Sequence, residues 1–445
     1  MKARNSVLSA VVALGALVTF AGLPAGVALA GTGARVPCSG PGGGAAGLVA
    51  AINAANAAGG GTISLAPRCT YTLTAADNNS FGGNGLPVIT TPITIAGAHA
   101  TIARHSAQHF RIFEVDGPGG SLAASALTIT GGDVGGPGGG VFNNAGTLRL
   151  NASVVSGNAS EGGMMSAGGG IASGTIGTGP LGTLVLNASE VTGNTTSGDA
   201  GGILNHAGTA VLNGSRVDHN TSGSGGGIAS GPGNPDSPVT GSSLTLNGSR
   251  VDHNTATEGG GEASGGGIAN GGTAVLRGSS VDHNSAPGGT GAGILNHGTM
   301  TITGSQITGN TAPTDSAGNA GTGGGIANVN FGIPPSGGSG VLTMSGSTVS
   351  GNFASGFAGG LGNGPDSTAT ITGSSVSGNS TDGAGGGVVN QGALAMTGSR
   401  VLDNTAAAGG GIANQGGTVT LTGTRVAGNT PDNCEPPGTI AGCTG

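Results

Sequence analysis

Three short segments contain an unusual concentration of ionisable side chains. The six residues Ser-Arg-Val-Asp-His-Asn occupy positions 215–220 and 249–254, and Ser-Ser-Val-Asp-His-Asn occupies positions 279–284. Carboxylates and imidazoles held side by side can bind a cation or transfer protons. The binding candidates are Arg216, Asp218, His219, Arg250, Asp252, His253, Asp282 and His283, and the catalytic candidates are Asp218, Asp252 and Asp282. A solvated Arg–Asp ladder, copied by repeat duplication, is the structural alternative.

Threonines two positions apart form a second pattern, later in the chain. The five members are Thr301-x-Thr303, Thr343-x-Ser345, Thr370-x-Thr372, Ala395-x-Thr397 and Thr420-x-Thr422. Flat arrays of this kind resemble ice-binding faces. Threonine is also favoured on any exposed strand because of its β-propensity, so the pattern does not require a ligand.

Both patterns belong to a repeat that begins near residue 138. Each unit contains a glycine corner of the type Gly-Gly-Gly-Ile, then x-Leu-x-Leu, then Gly-Ser, and it closes on x-Val-x-Gly-Asn. The closing asparagines are Asn158, Asn194, Asn220, Asn254, Asn284, Asn310, Asn352, Asn379, Asn404 and Asn429. The smallest spacing between two of them is 25 residues. We interpret this asparagine column as structural, because Asn tolerates turn conformations and can stack as an amide ladder.

The repeat predicts an all-β fold, a right-handed parallel β-helix with three short strands in each coil of about 25 residues. Each unit holds three runs with the two-residue alternation of strands, separated by Gly, Ser and Asn. The handedness follows from the usual sense of parallel crossovers. The aliphatic residues of each run would then stack coil on coil into one core. Glycine at the corners would allow backbone conformations and close approaches that other residues resist.

The segment before the repeats differs from them. Leu48, Ala51, Ile52 and Ala55 have helical spacing, which predicts a short amphipathic helix that plugs the open end of the core. We therefore expect a cap and first coils at residues 31–137, repeated coils at residues 138–430 and a capping loop at residues 431–445. Longer intervals contain insertions, which are the usual carriers of binding functions but are also simply tolerated at surfaces. These insertions lie at residues 159–167, 174–182, 231–241, 255–264, 311–322 and 330–340.

The first thirty residues predict a secretory signal. A basic start at Lys2 and Arg4 precedes an apolar stretch and the small-residue site at residues 28–30. An oxidising destination favours disulfides among the four cysteines. If the body is a long rod, its ends are too far apart to be bridged, which leaves Cys38–Cys69 and Cys434–Cys443.

Composition excludes several classes of protein. Glycine accounts for 102 of the 445 residues, which argues against a helical bundle. The formal net charge is −7 and the only lysine is Lys2, which argues against a nucleic-acid binder. We expect no cofactor, no metal and no membrane span after removal of the signal.

The repeat resembles two known groups. The fold pattern is similar to the pectin-lyase-like superfamily, and the unit is similar to polymorphic outer membrane protein repeats, which combine Gly-Gly-Ala-Ile/Leu/Val with Phe-x-x-Asn. Here the second motif is Val217-x-x-Asn220, Val281-x-x-Asn284 or Ile307-x-x-Asn310, with Val or Ile in place of Phe. The resemblance implies either a surface adhesin or a polysaccharide lyase or hydrolase.

Three functions therefore remain open. The first is a secreted, adhesin-like scaffold or binding protein without catalytic activity, whose partner would be an extracellular polysaccharide or a cell-surface ligand. The second is a polysaccharide lyase or glycoside hydrolase, against which the absence of Trp and the single Tyr weigh, because sugar clefts usually stack aromatic rings. The third is an ice-binding solenoid. The low content of charged residues, 7%, favours the first.

Overall fold

A computed structural model describes residues 33–163, 166–174, 181–231, 241–257, 265–329 and 339–443. The chain winds into a parallel β-solenoid of about 13 turns. Each coil has a first strand of the x-Leu-x-Leu type, a second strand of the x-Val-x type and a third strand that begins after the glycine corner. The predicted parallel β-helix with short strands is confirmed.

The first and second strands belong to one sheet of 25 strands. The first strands are Gly61–Leu65, Thr147–Asn151, Thr183–Asn187, Thr209–Asn213, Ser243–Asn247, Thr273–Arg277, Thr299–Thr303, Val341–Ser345, Thr368–Thr372, Ala393–Thr397 and Thr418–Thr422. The second strands are Thr70–Leu73, Val154–Ser156, Glu190–Thr192, Arg216–Asp218, Arg250–Asp252, Ser280–Asp282, Gln306–Thr308, Thr348–Ser350, Ser375–Ser377, Arg400–Leu402 and Arg425–Ala427. In two early coils a single strand, Pro92–Arg104 or Ser121–Thr130, supplies both positions. Ala34–Val36 pairs with the first coil.

The third strands form a separate sheet of twelve. They are Phe113–Asp116, Val141–Asn144, Ile171–Gly174, Ile203–His206, Ile228–Ser230, Ile268–Asn270, Ile294–Asn296, Ile326–Asn328, Leu361–Asn363, Val388–Asn390, Ile412–Asn414 and Cys434–Glu435. Two-residue strands precede most of them, at Asp133–Val134, Ala159–Ser160, Thr195–Thr196, Thr221–Ser222, Thr255–Ala256, Thr311–Ala312, Phe353–Ala354 and Ser380–Thr381. All named strands pair in parallel, and equivalent repeat positions face each other.

The inward positions build one continuous apolar core. Leu148, Leu150 and Val155 are fully buried, and their equivalents in the following coils are buried up to Val401, whereas Val419 and Leu421 in the last coil are only partly buried. Burial of each such side chain contributes about 1.5–3 kcal/mol relative to exposure. Because every coil supplies the same positions, the core extends along the whole stack of described coils.

A buried amide ladder runs beside this core. The Nδ2 of Asn220 donates to the Oδ1 of Asn254 at 2.9 Å, and the backbone N–H of Asn220 donates to the same oxygen at 3.0 Å. Asn254 repeats both bonds to Asn284. The pattern continues from Asn158 to Asn429 with each member buried. The interpretation of these asparagines as structural therefore agrees with their contacts.

Close packing at the corners explains part of the glycine content. A Cβ placed on Gly227 would lie 2.7 Å from the carbonyl oxygen of Gly267 and 2.8 Å from the Nδ2 of Asn254. Real Cβ atoms do not approach so closely, because the overlap is strongly repulsive. Only glycine lets the corner approach the next coil and the asparagine ladder together.

Both ends of the described solenoid are covered. The helix Gly44–Ala57 buries Leu48, Ala51, Ile52 and Ala55 against the first coils, as the helical spacing predicts. The disulfides Cys38–Cys69 and Cys434–Cys443 are both present. No helix among the described residues is long and apolar enough to cross a membrane. The signal segment at residues 1–30 and much of the insertions at residues 174–182, 231–241, 255–264 and 330–340 lie outside the described residues.

Candidate functional site

The candidate site is formed by three adjacent second strands. Parallel register stacks Arg216, Arg250 and Ser280 in one column and Asp218, Asp252 and Asp282 in another. The residues that follow these strands, His219, His253 and His283, stack above one another. The structure therefore brings together all eight residues that the sequence motifs single out.

Each arginine in the ladder binds the aspartate of the next coil. Arg216 donates from Nε to the Oδ1 of Asp252 at 3.0 Å and from Nη2 to the Oδ2 at 2.6 Å. Arg250 makes a single bond of 2.5 Å from its Nη2 to the Oδ2 of Asp282, so the Arg216–Asp252 pair alone is bidentate. Bidentate Arg–carboxylate pairs of this kind are the strong class of ion pairs.

The histidines add a second layer to the carboxylates. The Nδ1 of His219 lies 2.6 Å from the Oδ2 of Asp218, and the Nδ1 of His253 lies 3.0 Å from the Oδ2 of Asp252. Because an ionised carboxylate can only accept, Nδ1 donates in this bond and Nε2 takes no part in it. The rings stack almost parallel, with centroids 5.1 and 5.2 Å apart.

These histidines stand where other coils use glycine. His219, His253 and His283 have φ near 55°, the left-handed region that Gly193 and Gly309 occupy in the neighbouring coils. A side chain in this conformation costs roughly 1–2 kcal/mol. The hydrogen bond from each ring to its aspartate offsets that cost, and the stack ends where the carboxylates end.

The carboxylates are covered rather than solvated. The side chains of Asp218, Asp252 and Asp282 are at most 8% exposed, beneath the arginines and histidines. The expected Arg–Asp ladder is therefore present, but its aspartates are buried and not solvated. Burial would raise the pKa of Asp252, but the bonds from Arg216 and His253 and the arginine charges outweigh burial and lower that pKa.

One end of the ladder lacks its arginine. The register that would supply an Arg to Asp218 instead holds Glu190. Asp218 accepts through Oδ2 from Thr192 and His219, whereas its buried Oδ1 has no hydrogen-bond partner. Burial and the nearby charge of Asp218 raise the pKa of Glu190, and Arg216 opposes the shift. Sequence analysis missed Glu190, which alignment of its strand with Arg216–Asp218 would have revealed.

No group of three or more His, Cys, Asp or Glu side chains within the described ranges has an arrangement suited to a metal ion. The imidazole stack is therefore a row of separate ring nitrogens rather than a chelate. It presents three imidazole rings at the spacing of the coils, beside two arginines that are about half exposed.

The threonine pattern occupies a different face. In register, Thr301, Thr343 and Thr370 follow one another on adjacent first strands, and Thr303, Ser345 and Thr372 form a parallel column. Most of these side chains are exposed or half-exposed. The outward positions of the first strands from Thr299 to Thr422 carry no charged residue.

A second ionic cluster near the start of the solenoid escaped sequence analysis. Arg111 and Glu114 are fully buried and paired at 3.2 Å, and Asn84 bonds to both. Arg111 also donates to the carbonyl oxygens of Phe81 and Pro137. Burial lowers the pKa of Arg111 to about 10, which keeps it charged at neutral pH. These bonds fix an early loop to the third-strand sheet.

Comparisons with known proteins find similarity only among solved structures. No protein-family model and no curated protein matches it. The A-module of a mannuronan C-5 epimerase from Azotobacter vinelandii aligns with 88% of this chain and 95% of its own, at 16% identity and a TM-score of 0.44. Tailspike protein 3 of bacteriophage CBA120 aligns with 87% of this chain and 59% of its own, at 14% identity and a TM-score of 0.40. At these values neither similarity identifies a family or an activity for this chain.

Proposed function

We propose that the protein is an exported, non-catalytic β-helix that serves as a rigid scaffold for binding an extracellular or cell-surface ligand. The observation that carries this proposal is the pairing of its ionisable side chains. Asp252 is fully buried and accepts from Arg216 and His253, and Asp282 is bonded to Arg250. Carboxylates whose oxygens are already bonded to arginine and histidine stabilise the coil stack, and the lowered pKa of Asp252 suits it poorly to acid–base work.

Export is part of the same proposal. The basic and apolar start of the sequence predicts a signal, and both disulfides favour an oxidising compartment. A solenoid with a continuous core and two covered ends is suited to presenting outward side chains at fixed spacing. Binding would then depend on those outward positions, not on the buried columns.

A polysaccharide lyase or hydrolase is the alternative, and Glu190 favours it. A carboxyl group with a raised pKa, Glu190, beside a second carboxyl group, Asp218, is the arrangement that can divide acid and base roles between two carboxylates. Arg216 and His219 flank the pair and could contact a substrate. In this alternative the reaction would take place at Glu190 and Asp218, where the ionic ladder begins, and not at the other aspartates.

Product release separates the two functions. The purified mature protein would be incubated with uronic-acid and neutral polysaccharides, with and without Ca²⁺, and assayed for reducing ends and unsaturated products. The proposal predicts no product from any substrate. Product formation by the wild type that is lost in both Glu190→Gln and Asp218→Asn, but kept in the matched surface variant Gln306→Ala, would establish the enzymatic alternative.

A further inference from the structure

A groove lies on the outer side of the third-strand sheet, away from the Arg–Asp–His ladder. It encloses about 370 Å³ and extends over several consecutive coils in the second half of the solenoid. Its floor is a column of small outward residues, Ala327, Gly362 and Val389, which pair in register on adjacent third strands. The coil before them has Leu295 in the same column, so the recess begins where the floor residues become small.

The sides of the groove come from the residues that precede and follow the third strands. Thr322 and Phe357 precede them, and Gln391 and Gln415 follow them. The Nε2 of Gln391 donates to the Oε1 of Gln415 at 3.1 Å, so the two carboxamides stack along the solenoid axis. Phe357 is 51% exposed, an unusual state for a large apolar side chain in a protein with few aromatic residues.

The lining residues of the groove combine an aromatic ring, carboxamides, hydroxyls and small apolar groups, and none is charged. A nucleic acid or an acidic polysaccharide would need basic side chains to compensate its charge. A peptide that binds by strand addition needs an open sheet edge. The floor strands pair with neighbours on both sides, so their backbone groups are already used.

We propose that this groove binds a neutral polysaccharide chain that lies along the solenoid axis. The exposed ring of Phe357 would cover the apolar face of a sugar ring, and Gln391 and Gln415 would bond to hydroxyl groups. Successive coils repeat at about 4.8 Å, so a linear polymer meets equivalent positions as it crosses them. The inference rests on the proposed binding function and names both its site and its ligand class.

Affinity electrophoresis tests the proposal directly. The wild type and variants would be run through native gels that contain hydroxyethyl cellulose, galactomannan or laminarin as neutral probes, and polygalacturonate as the acidic probe. Phe357→Ser removes the ring, and Ala327→Leu fills the floor with the residue that the preceding coil already accommodates at Leu295. Leu181→Ser is the matched control, because Leu181 is similarly exposed, at 53%, and does not line the groove.

We expect retardation of the wild type by at least one neutral probe, with the dissociation constant raised tenfold or more in Phe357→Ser and Ala327→Leu but unchanged in Leu181→Ser. Circular dichroism would verify that the variants keep their strand content. Equal retardation of all four proteins, retardation by polygalacturonate alone, or no retardation by any neutral probe would overturn the inference. None of these results would refute the non-catalytic scaffold, which fails only on release of product.

Discussion

Two groups of coils share one backbone plan and differ on the outside. The central coils, whose second strands are Arg216–Asp218, Arg250–Asp252 and Ser280–Asp282, carry an ionic ladder. The last coils, from Thr299 to Ala427, have hydroxyl and small side chains at most of the equivalent outward positions; Arg400 and Arg425 continue the arginine column there, but no aspartate lies in the column of Asp252. The buried asparagine ladder passes through both groups with nearly constant distances. The comparison teaches that buried columns maintain the solenoid, and that outward chemistry varies independently of it.

The largest loss of folding stability is expected from changes in the buried asparagine ladder, and it should be the same in both groups of coils. Asn254→Ala would leave the backbone N–H and one side-chain N–H of Asn220 without an acceptor, and Asn379→Ala would do the same to Asn352. Each orphaned buried donor costs about 1–3 kcal/mol, so we expect a loss of about 2–5 kcal/mol for either variant. Urea unfolding followed by circular dichroism would measure it. A much smaller loss of stability in Asn379→Ala than in Asn254→Ala would contradict the idea that the ladder supports both groups of coils equally.

A smaller effect, confined to the central coils, is expected from the ionic ladder. Asp252→Ala removes the nearest acidic partner of Arg216 and the carboxylate bonded to His253, and it should cost about 2 kcal/mol because the arginine is partly solvated and can rehydrate. Ser377→Ala changes the equivalent position in the last coils and should cost less than about 0.5 kcal/mol. Equal losses in the same unfolding assay would show that the ladder adds nothing specific to the central coils.

Acid should weaken the central coils selectively. The folded-state pKa of Asp252 is lowered from 3.8, so its ionised form favours folding above that value, and this contribution is lost as pH falls through the folded pKa. Hydrogen exchange at pH 5 and pH 3 would compare amides of Arg250–Asp252 with those of Ser375–Ser377. We expect protection against exchange to fall more between pH 5 and pH 3 at the Arg250–Asp252 amides than at the Ser375–Ser377 amides. Asp252→Asn should abolish that difference.

The exposed end of the ladder should respond in the opposite direction. Glu190 has a raised pKa because of burial and the charge of Asp218, so its ionisation opposes folding as pH rises. Glu190→Gln should therefore raise stability slightly at pH 7, by less than about 1 kcal/mol because the side chain is partly solvated. Thermal unfolding at pH 7 would measure the change. A clear loss of stability would show that the pairing with Arg216 outweighs the repulsion.

The smallest effect is expected on the threonine face of the last coils. Thr370→Leu replaces an exposed side chain and should change stability by less than about 0.5 kcal/mol. Thermal hysteresis of the wild type would also be recorded. Its presence in the wild type and loss in the variant would support ice binding over the scaffold function proposed above.

Most of the fold could be predicted from the residues that recur in every repeat. Alternating aliphatic residues, glycine corners and the repeated asparagines are local signals that recur in every coil, so coil, ladder and helical cap could all be derived. The burial of Asp218 and Asp252 could not, because it depends on how Arg and His side chains fold over them. The pair of Arg111 with Glu114 escaped for a similar reason, since its partner Asn84 lies in a loop outside the repeat.

The one-way asparagine ladder has a mechanical consequence. Each amide donates to the asparagine of the next coil, so a departing C-terminal coil breaks only the ladder bonds at its own boundary, which run from Asn404 to Asn429. Under a pulling force the solenoid should therefore unwind coil by coil from an end. A coil of 25 residues would lengthen by on the order of 80–90 Å as its chain is extended. The Cys434–Cys443 bridge lies next to the last coils, where such peeling would begin. Force spectroscopy should thus record a series of extension steps of similar size.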